Sequence, residues 1–405
     1  MNRGVEYDRA VVTDEGNLGN WTQNILDGIN RDSEMISIGY INHPLLGRTS
    51  IDIPWKSLYG RNLLVSGATG YGKSGLIQNI LYQLAVDGRG FAYVDTKGDA
   101  SQKLLNILPD SRKDDVVVIG QSRSGNIRGF DLLDQKNELS SQVVETTLKN
   151  LLKSETYWGP KMDYLFTAFV HTAVVNNYSY QNFLELLDNP ETVSDVDIPN
   201  EEEHILETIQ EFNEHDPEVI DSLYRRARLL GGQELTSLFS DSRSMERIVD
   251  DDSIIIVRPN FLSSTGEQSI MIGAFSQMFW ELIKYRGGFD DSFFLIFDEI
   301  DFVMNETVPM KDMLSQSRSL NFGIGAVLQQ FDSVESDIRR NLIGNTENIL
   351  LFSQTDTNTA NNLISGFDQF GRNDVMSLDR FTAATRLRGK YGVWEGELHT
   401  FPPIS

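Results

Sequence analysis

The chain is 405 residues long, carries 59 acidic against 35 basic residues for a formal net charge of −24, and has no cysteine. That length can bury a large core and admits two or three domains, and the missing thiols exclude disulfides and thiolate metal sites. Five scattered histidines with no H-x-x-x-H pair speak against zinc, and the sequence shows no signal peptide and no apolar run near 18 residues, so a soluble, intracellular chain is expected.

The acidity is patterned. Only 12 of the basic residues are Lys, 34 of the acids are Asp, and residues 162–224 hold 15 acids with no Lys or Arg. Two readings stand: an ordinary acidic protein, or adaptation to molar salt, where self-repulsion is screened over about 3 Å. The overall charge lends nothing to passive nucleic-acid binding, so any DNA contact requires a local feature.

In chain order, residues 1–34 are polar and rich in Gly, Asn and Asp, the composition of a loosely held arm. "MISIGYINH" and "TSIDIPW" alternate apolar and polar residues around "PLLGR", a hairpin signal. "NLLVS" (62–66) is a short apolar strand running into "GATGYGKSGL" (67–76). Leu76, Ile77, Ile80, Leu81 and Leu84 then recur at helical spacing up to Gly88. "FAYVD" (91–95) and "VVVIG" (116–120) are further buried strands, and strand–helix–strand alternation of this kind specifies a mainly parallel sheet.

Between residues 134 and 250 the pattern turns helical, with no convincing strand and a flexible acidic loop expected at "DNPETVSDVDIPNEEE" (188–203). Alternation resumes with "SIIIVRP" (253–259), "FFLIFDE" (293–299), "FGIGAVLQQ" (322–330) and "NILLFSQ" (348–354). A last pair, "FTAATRL" and "YGVWEGEL", reads as an antiparallel hairpin at the sheet edge.

The glycine loop fits two fingerprints. Gly70, Gly72 and Gly75 match G-x-G-x-x-G with Asp95 20 residues further on, a dinucleotide turn; Gly67, Gly72, Lys73 and Ser74 match G-x-x-x-x-G-K-[ST], a triphosphate cradle. Only the second explains Lys73 and Ser74. It requires the backbone of Gly67, Ala68, Thr69, Gly70, Tyr71, Gly72, Lys73, Ser74 and Gly75 to wrap phosphates at a helix N-terminus, with the Lys73 cation on the β/γ-phosphates and the Ser74 hydroxyl on Mg²⁺. It also requires an acid-tipped apolar strand. "FFLIFDE" supplies one, with Asp298 for the Mg²⁺ shell and Glu299 to orient and deprotonate the attacking water. The sequence therefore points to Mg²⁺ and ATP rather than NAD.

The order of these features resembles the HerA/FtsK superfamily of ring-forming DNA motors, and within it the type IV secretion coupling proteins. "DTKGD" (95–99) resembles that branch's D-P-K-G-[ED] segment with Thr96 in place of proline, and "YWGPKMDYLFTAFVHT" (157–172) its W-G-P-[RK]-[ML]-[ED] helix. "MERIVDDDSIIIVRPN", "LSQSRSLNFGIGAVLQQFDSV" and "IGNTENILLFSQTDTNTANNLI" are similar to the segments that follow, so that the likeness spans residues 36–403.

That resemblance implies an α/β fold: a RecA-like P-loop NTPase core with a mainly parallel sheet (35–133 and 251–405), an inserted acidic all-α domain (134–250) and a small N-terminal β hairpin. It implies an ATPase that translocates DNA through the pore of a homo-hexamer. Gln330 matches the γ-phosphate sensor, with Gln329 the rival by one residue. Arg318 matches an arginine that serves a neighbouring subunit's site, with Arg339, Arg340 and Arg372 as alternatives. Asp95 and Asp99 would support Mg²⁺ or water, unless Asp99 is only a helix N-cap. Coupling proteins usually begin with transmembrane helices and this sequence shows none, which implies a membrane-anchored partner, or a virion role such as genome packaging. A non-translocating structural or regulatory NTPase is the alternative from another class.

Overall fold

The computed structural model describes residues 35–44, 47–122, 125–133, 141–152, 158–195, 203–299, 308–389 and 392–402. The expected N-terminal arm, 1–34, lies outside them. The chain divides into two compact units, Met1–Val116 with Phe289–Asp301 and Lys311–Ser405, and Val117–Gly288 with Phe302–Met310.

The first unit opens with β1 (Met35–His43) and β2 (Gly47–Pro54), paired antiparallel from Met35↔Pro54 to His43↔Gly47 as the alternating pattern requires. β3 (Leu63–Ser66) leads through the glycine loop into α1 (Lys73–Val86), and β4 (Phe91–Asp95) into α2 (Asp99–Ile107).

The second unit then takes over with β5 (Val116–Gln121), whose last residues pair antiparallel with β6 (Ile127–Arg128). Helices follow: α3 (Ser141–Leu152), α4 (Pro160–Val175), α5 (Tyr180–Asp188), α6 (Glu203–His215), α7 (Pro217–Ala227), α8 (Gln233–Phe239) and α9 (Met245–Ile248). Among the described residues of 134–250 the only β feature is an isolated bridge from Ser240 to Asp131. β7 (Ile254–Arg258) and the long α10 (Thr265–Arg286) close this unit. A Ser264/Glu267 capping box starts α10 and left-handed Gly287 ends it. Its aromatic core joins Phe130 to Phe239 at 5.7 Å and to Phe275 at 6.5 Å.

The first unit resumes with β8 (Phe293–Asp298), α11 (Met310–Gln316), β9 (Phe322–Leu328), α12 (Ser336–Gly344), β10 (Asn348–Leu351), α13 (Thr357–Ile364) and α14 (Arg372–Met376). The antiparallel pair β11 (Thr382–Gly389) and β12 (Gly392–His399) completes it. Its strands are ordered β2-β1-β12-β11-β10-β3-β9-β8-β4, and those of the second unit β7-β5-β6. The five strands β10, β3, β9, β8 and β4 are mutually parallel. Every one of their residues is buried, which is why their sequences are continuously apolar rather than alternating. The architecture is thus the expected α/β one, a mostly parallel mixed sheet with an N-terminal hairpin.

Two sequence expectations need correction. The β11–β12 hairpin is interior rather than terminal, because β1 pairs with β12 at Tyr40↔His399 and leaves β2 outermost; Tyr40 seals that seam, its ring 5.3 Å from His399 and 5.7 Å from Phe401. The acidic stretch 188–203 is not all loop. Asp188 ends α5, Pro190–Asp195 forms a 3₁₀ turn pinned by buried Val193, and Glu203 opens α6. Residues 196–202 lie outside the described residues.

Candidate functional site

The parallel register brings the carboxyl ends of β4, β8, β9 and β3 together: Asp95 opposite Asp298, Asp298 opposite Val327, Leu328 opposite Ser66. The glycine loop starts at Ser66 and is sewn to its neighbours by backbone hydrogen bonds. Gly67 N–H donates to Leu328 O (3.3 Å), Ala68 N–H to Ser353 O (2.9 Å), and Phe381 N–H to Tyr71 O (2.9 Å). Gly67 has to be glycine, since a Cβ there would lie 2.5 Å from Phe352 Cβ. Gly72, at a left-handed φ of 116°, is the N-cap of α1 and provides no side-chain cap, and no acid occupies the first turn. The first N–H groups of α1 are therefore left for an anion, in the field of the helix dipole.

Lys73 is buried and folds back, its Nζ donating to Gly67 O (2.6 Å) and Ala68 O (3.0 Å). Thr69, Gly70 and Ser74 are exposed along the mouth of the loop.

Asp298 ends β8 buried, with Oδ2 accepting from the Tyr93 hydroxyl at 2.7 Å and Oδ1 buried without a hydrogen-bond partner. Burial pushes its carboxyl up to about 6; nearby Asp95 and Glu299 push the same way, while the Tyr93 hydrogen bond and Lys73 pull against them. Burial and the same three acids also raise the Tyr93 hydroxyl well above its ordinary range. A carboxylate with an orphaned buried oxygen suits a divalent cation. Among the described residues no group of three or more His, Cys, Asp or Glu could hold a metal unaided. Mg²⁺ here would therefore take Asp298, the Ser74 hydroxyl and phosphate oxygens.

Glu299 sits at a left-handed φ of 54°, uncommon for a non-glycine residue and a form of strain that clusters at functional sites. Its carboxylate is gripped by Lys97, with Nζ 2.6 Å from Oε1 and 2.5 Å from Oε2. Asp95 is engaged by the backbone, accepting from Lys97 N–H (3.2 Å) and Ser101 N–H (2.7 Å). It thereby caps α2 from a distance. Asp99 is not the cap; Gly98 is, with Asp99 in the first turn beside it.

Gln329 and Gln330 leave β9 between the loop strand and the Asp298 strand, Gln329 half-buried and Gln330 exposed, and the Gln330 carbonyl caps the turn through Ser333. Arg318 lies elsewhere. It is exposed on the 3₁₀ turn Ser317–Leu320 ahead of β9, against Gly60, at the amino end of the parallel strands. The length of β9 puts it about 20 Å from this chain's own loop. Of the alternatives, Arg339 pairs with Asp332 at 2.6 Å and Arg340 with Asp337, while Arg372 is exposed at the start of α14.

Tyr93, Lys97 and Phe381 join the site without having been picked out in the sequence. Tyr93 and Lys97 had a signal available, since they flank Asp95, Tyr93 within β4 and Lys97 in the bend after it; Phe381 had none.

A glycine loop between a buried parallel strand and an uncapped helix, beside an acid-tipped strand two places away, defines a RecA-type P-loop fold. No protein-family model matches the sequence, and no curated protein matches it. Solved structures do. The bacterial conjugative coupling protein TrwB, in its unbound monoclinic form, superposes with a TM-score of 0.64 at 14% identity over 95% of this chain and 93% of that one. The plasmid coupling protein TrwB in complex with ADP and Mg²⁺ gives 0.62 at 13% identity, again over 95% and 93%. VirB4 of Thermoanaerobacter pseudethanolicus gives 0.59 at 15% identity over 93% and 98%. The chain thus has the coupling-protein fold across nearly its whole length.

Proposed function

We propose that this chain is a Mg²⁺-dependent ATPase that drives DNA through a homo-hexameric ring, as a coupling-protein-like motor. The observation that carries the reading is the uncapped α1 N-terminus with Lys73 at its base, set beside a buried carboxylate, Asp298, that has one oxygen unpartnered. The fold likeness supports it, since the structurally similar coupling protein TrwB was solved in complex with ADP and Mg²⁺ and with a non-hydrolysable ATP analogue.

In this mechanism the N–H groups of Ala68 to Ser74 wrap the phosphates. Lys73 exchanges its two loop carbonyls for phosphate oxygens. Ser74 and Asp298 would hold Mg²⁺, and the ion would supply positive charge against the phosphates. Glu299 leaves Lys97, orients water and accepts its proton. Gln330, or Gln329, reads the γ-phosphate. Arg318 points its charge at a neighbouring subunit's loop, since its own is a sheet's length away. The described helices between residues 141 and 248 belong to an acidic stretch that, in this reading, stays off the DNA. No helix among the described residues is long and apolar enough to cross a membrane; a membrane-anchored or virion protein would place the motor where it acts.

The test is ATP turnover with and without DNA. Lys73→Ala should abolish tight ATP binding, and Glu299→Gln should bind ATP but not turn it over. Near-normal hydrolysis by Glu299→Gln would remove the base assignment. Hydrolysis indifferent to DNA at every salt concentration would favour a non-translocating switch.

A further inference from the structure

Phe381, the residue before β11, has a φ of 64°. For a bulky side chain that conformation is strained and persists only where the surroundings impose it. The surroundings are the glycine loop and the chain end of β12. Phe381 N–H donates to Tyr71 O at 2.9 Å, and its carbonyl accepts from Thr400 N–H at 2.8 Å and from the Thr400 hydroxyl at 3.3 Å.

Three side chains meet over Gly72, where an added Cβ would lie 3.0 Å from Phe381 Cδ1, 3.3 Å from Thr400 Oγ1 and 3.4 Å from Phe352 Cε1. Phe352 and Thr400 are buried, but Phe381 remains 48% exposed. The backbone thus holds a strained, solvent-facing ring against the N-cap of the phosphate-binding helix. A residue serving only to pack the loop would bury that ring.

We infer that Phe381 is the stacking platform for the heterocyclic base of the nucleotide whose phosphates the loop holds. The inference rests on the nucleotide reading above and adds the group that receives the base. An apolar π face stacks on any base, so Phe381 supplies affinity for a nucleoside over bare phosphate without choosing among bases. The backbone hydrogen bonds to Tyr71 and Thr400 hold the Phe381 Cα in place and the ring lies against Gly72, which lowers the ordering cost left for binding.

The experiment is equilibrium binding of Mg-ATP, Mg-GTP and inorganic tripolyphosphate to the full chain and to Phe381→Leu and Phe381→Tyr. Leucine keeps an apolar contact on Gly72 without the π face, and tyrosine keeps both. Phe381→Leu should weaken ATP and GTP alike by roughly five- to a hundredfold, the range of base–aromatic stacking. It should leave tripolyphosphate unchanged, and Phe381→Tyr should retain ATP. A parallel loss of tripolyphosphate would make the ring a buttress of the loop and overturn the inference, as would unchanged ATP affinity in Phe381→Leu. A wild-type chain that binds tripolyphosphate as tightly as ATP sinks the base platform alone. One that binds neither sinks the nucleotide reading with it.

Discussion

Replacing Asp298 with asparagine should stabilise the nucleotide-free chain and abolish its Mg²⁺-dependent response to ATP. The carboxyl is buried with one oxygen unpartnered, and its pKa is raised from 3.8 to about 6. An acid whose folded pKa is raised contributes stability below its unfolded value of 3.8 and loses it as pH rises through about 6. Near neutrality the folded chain therefore carries a penalty of about two pKa units, or ~3 kcal/mol. Asparagine is uncharged, but its amide leaves donors unpaired where Oδ1 stood, which offsets about 1 kcal/mol. The net gain of about 2 kcal/mol corresponds to roughly 2–4 °C in Tm for a chain or unit of this size. Melting both proteins in EDTA between about pH 4 and pH 8 reads it directly. The gap should be widest above neutrality and close toward the acid end. Adding Mg²⁺ and ATP should raise the wild type and leave the variant where it was. A variant that melts below the wild type near pH 7.5, or a gap indifferent to pH, would refute the reasoning.

Lys97→Met should raise basal ATP turnover by about two- to fivefold with ATP affinity unchanged, because a half-exposed ion pair holding Glu299 is worth up to about 1 kcal/mol; a fall in turnover would show that Lys97 positions the base instead. Gly67→Ala should lower stability by about 2 kcal/mol or more, because its Cβ would meet Phe352 Cβ at 2.5 Å, and a wild-type urea midpoint would count against this. If the −24 charge is salt adaptation, Tm should climb between about 0.1 and 2 M KCl; a flat or falling Tm rejects it. Arg318→Ala and Lys73→Ala, each inactive alone, should regain part of the turnover when mixed, since mixed rings pair an intact loop with an intact arginine. Failure to complement, with activity independent of protein concentration, would overturn the action in trans.

The parallel strands were legible because burial on both faces leaves an unmistakable signature: Leu63–Ser66, Phe91–Asp95 and Phe293–Asp298 are apolar without alternation up to their last residues. The loop was legible because its glycines and Lys73 stand close together in the chain. What escaped depends on pairings that no local pattern encodes. Lys97 meets Glu299, and Tyr93 meets Asp298, only because β4 lies beside β8, and more than 200 residues separate the partners. The edge of the sheet was misjudged for the same reason, since a hairpin's sequence says nothing about which strand lies on its outer side. Two-residue β6 is too short to carry a period at all.

The inward fold of Lys73 has a consequence for how the loop would load. The Lys73 ammonium donates to two carbonyls of its own loop, Gly67 O and Ala68 O. The loop thus solvates its own cation, and under the proposed function a nucleotide phosphate would have only to replace those two oxygens. Loading would then be an exchange of oxygens around one nitrogen, a rearrangement of a single side chain rather than of the loop that carries it.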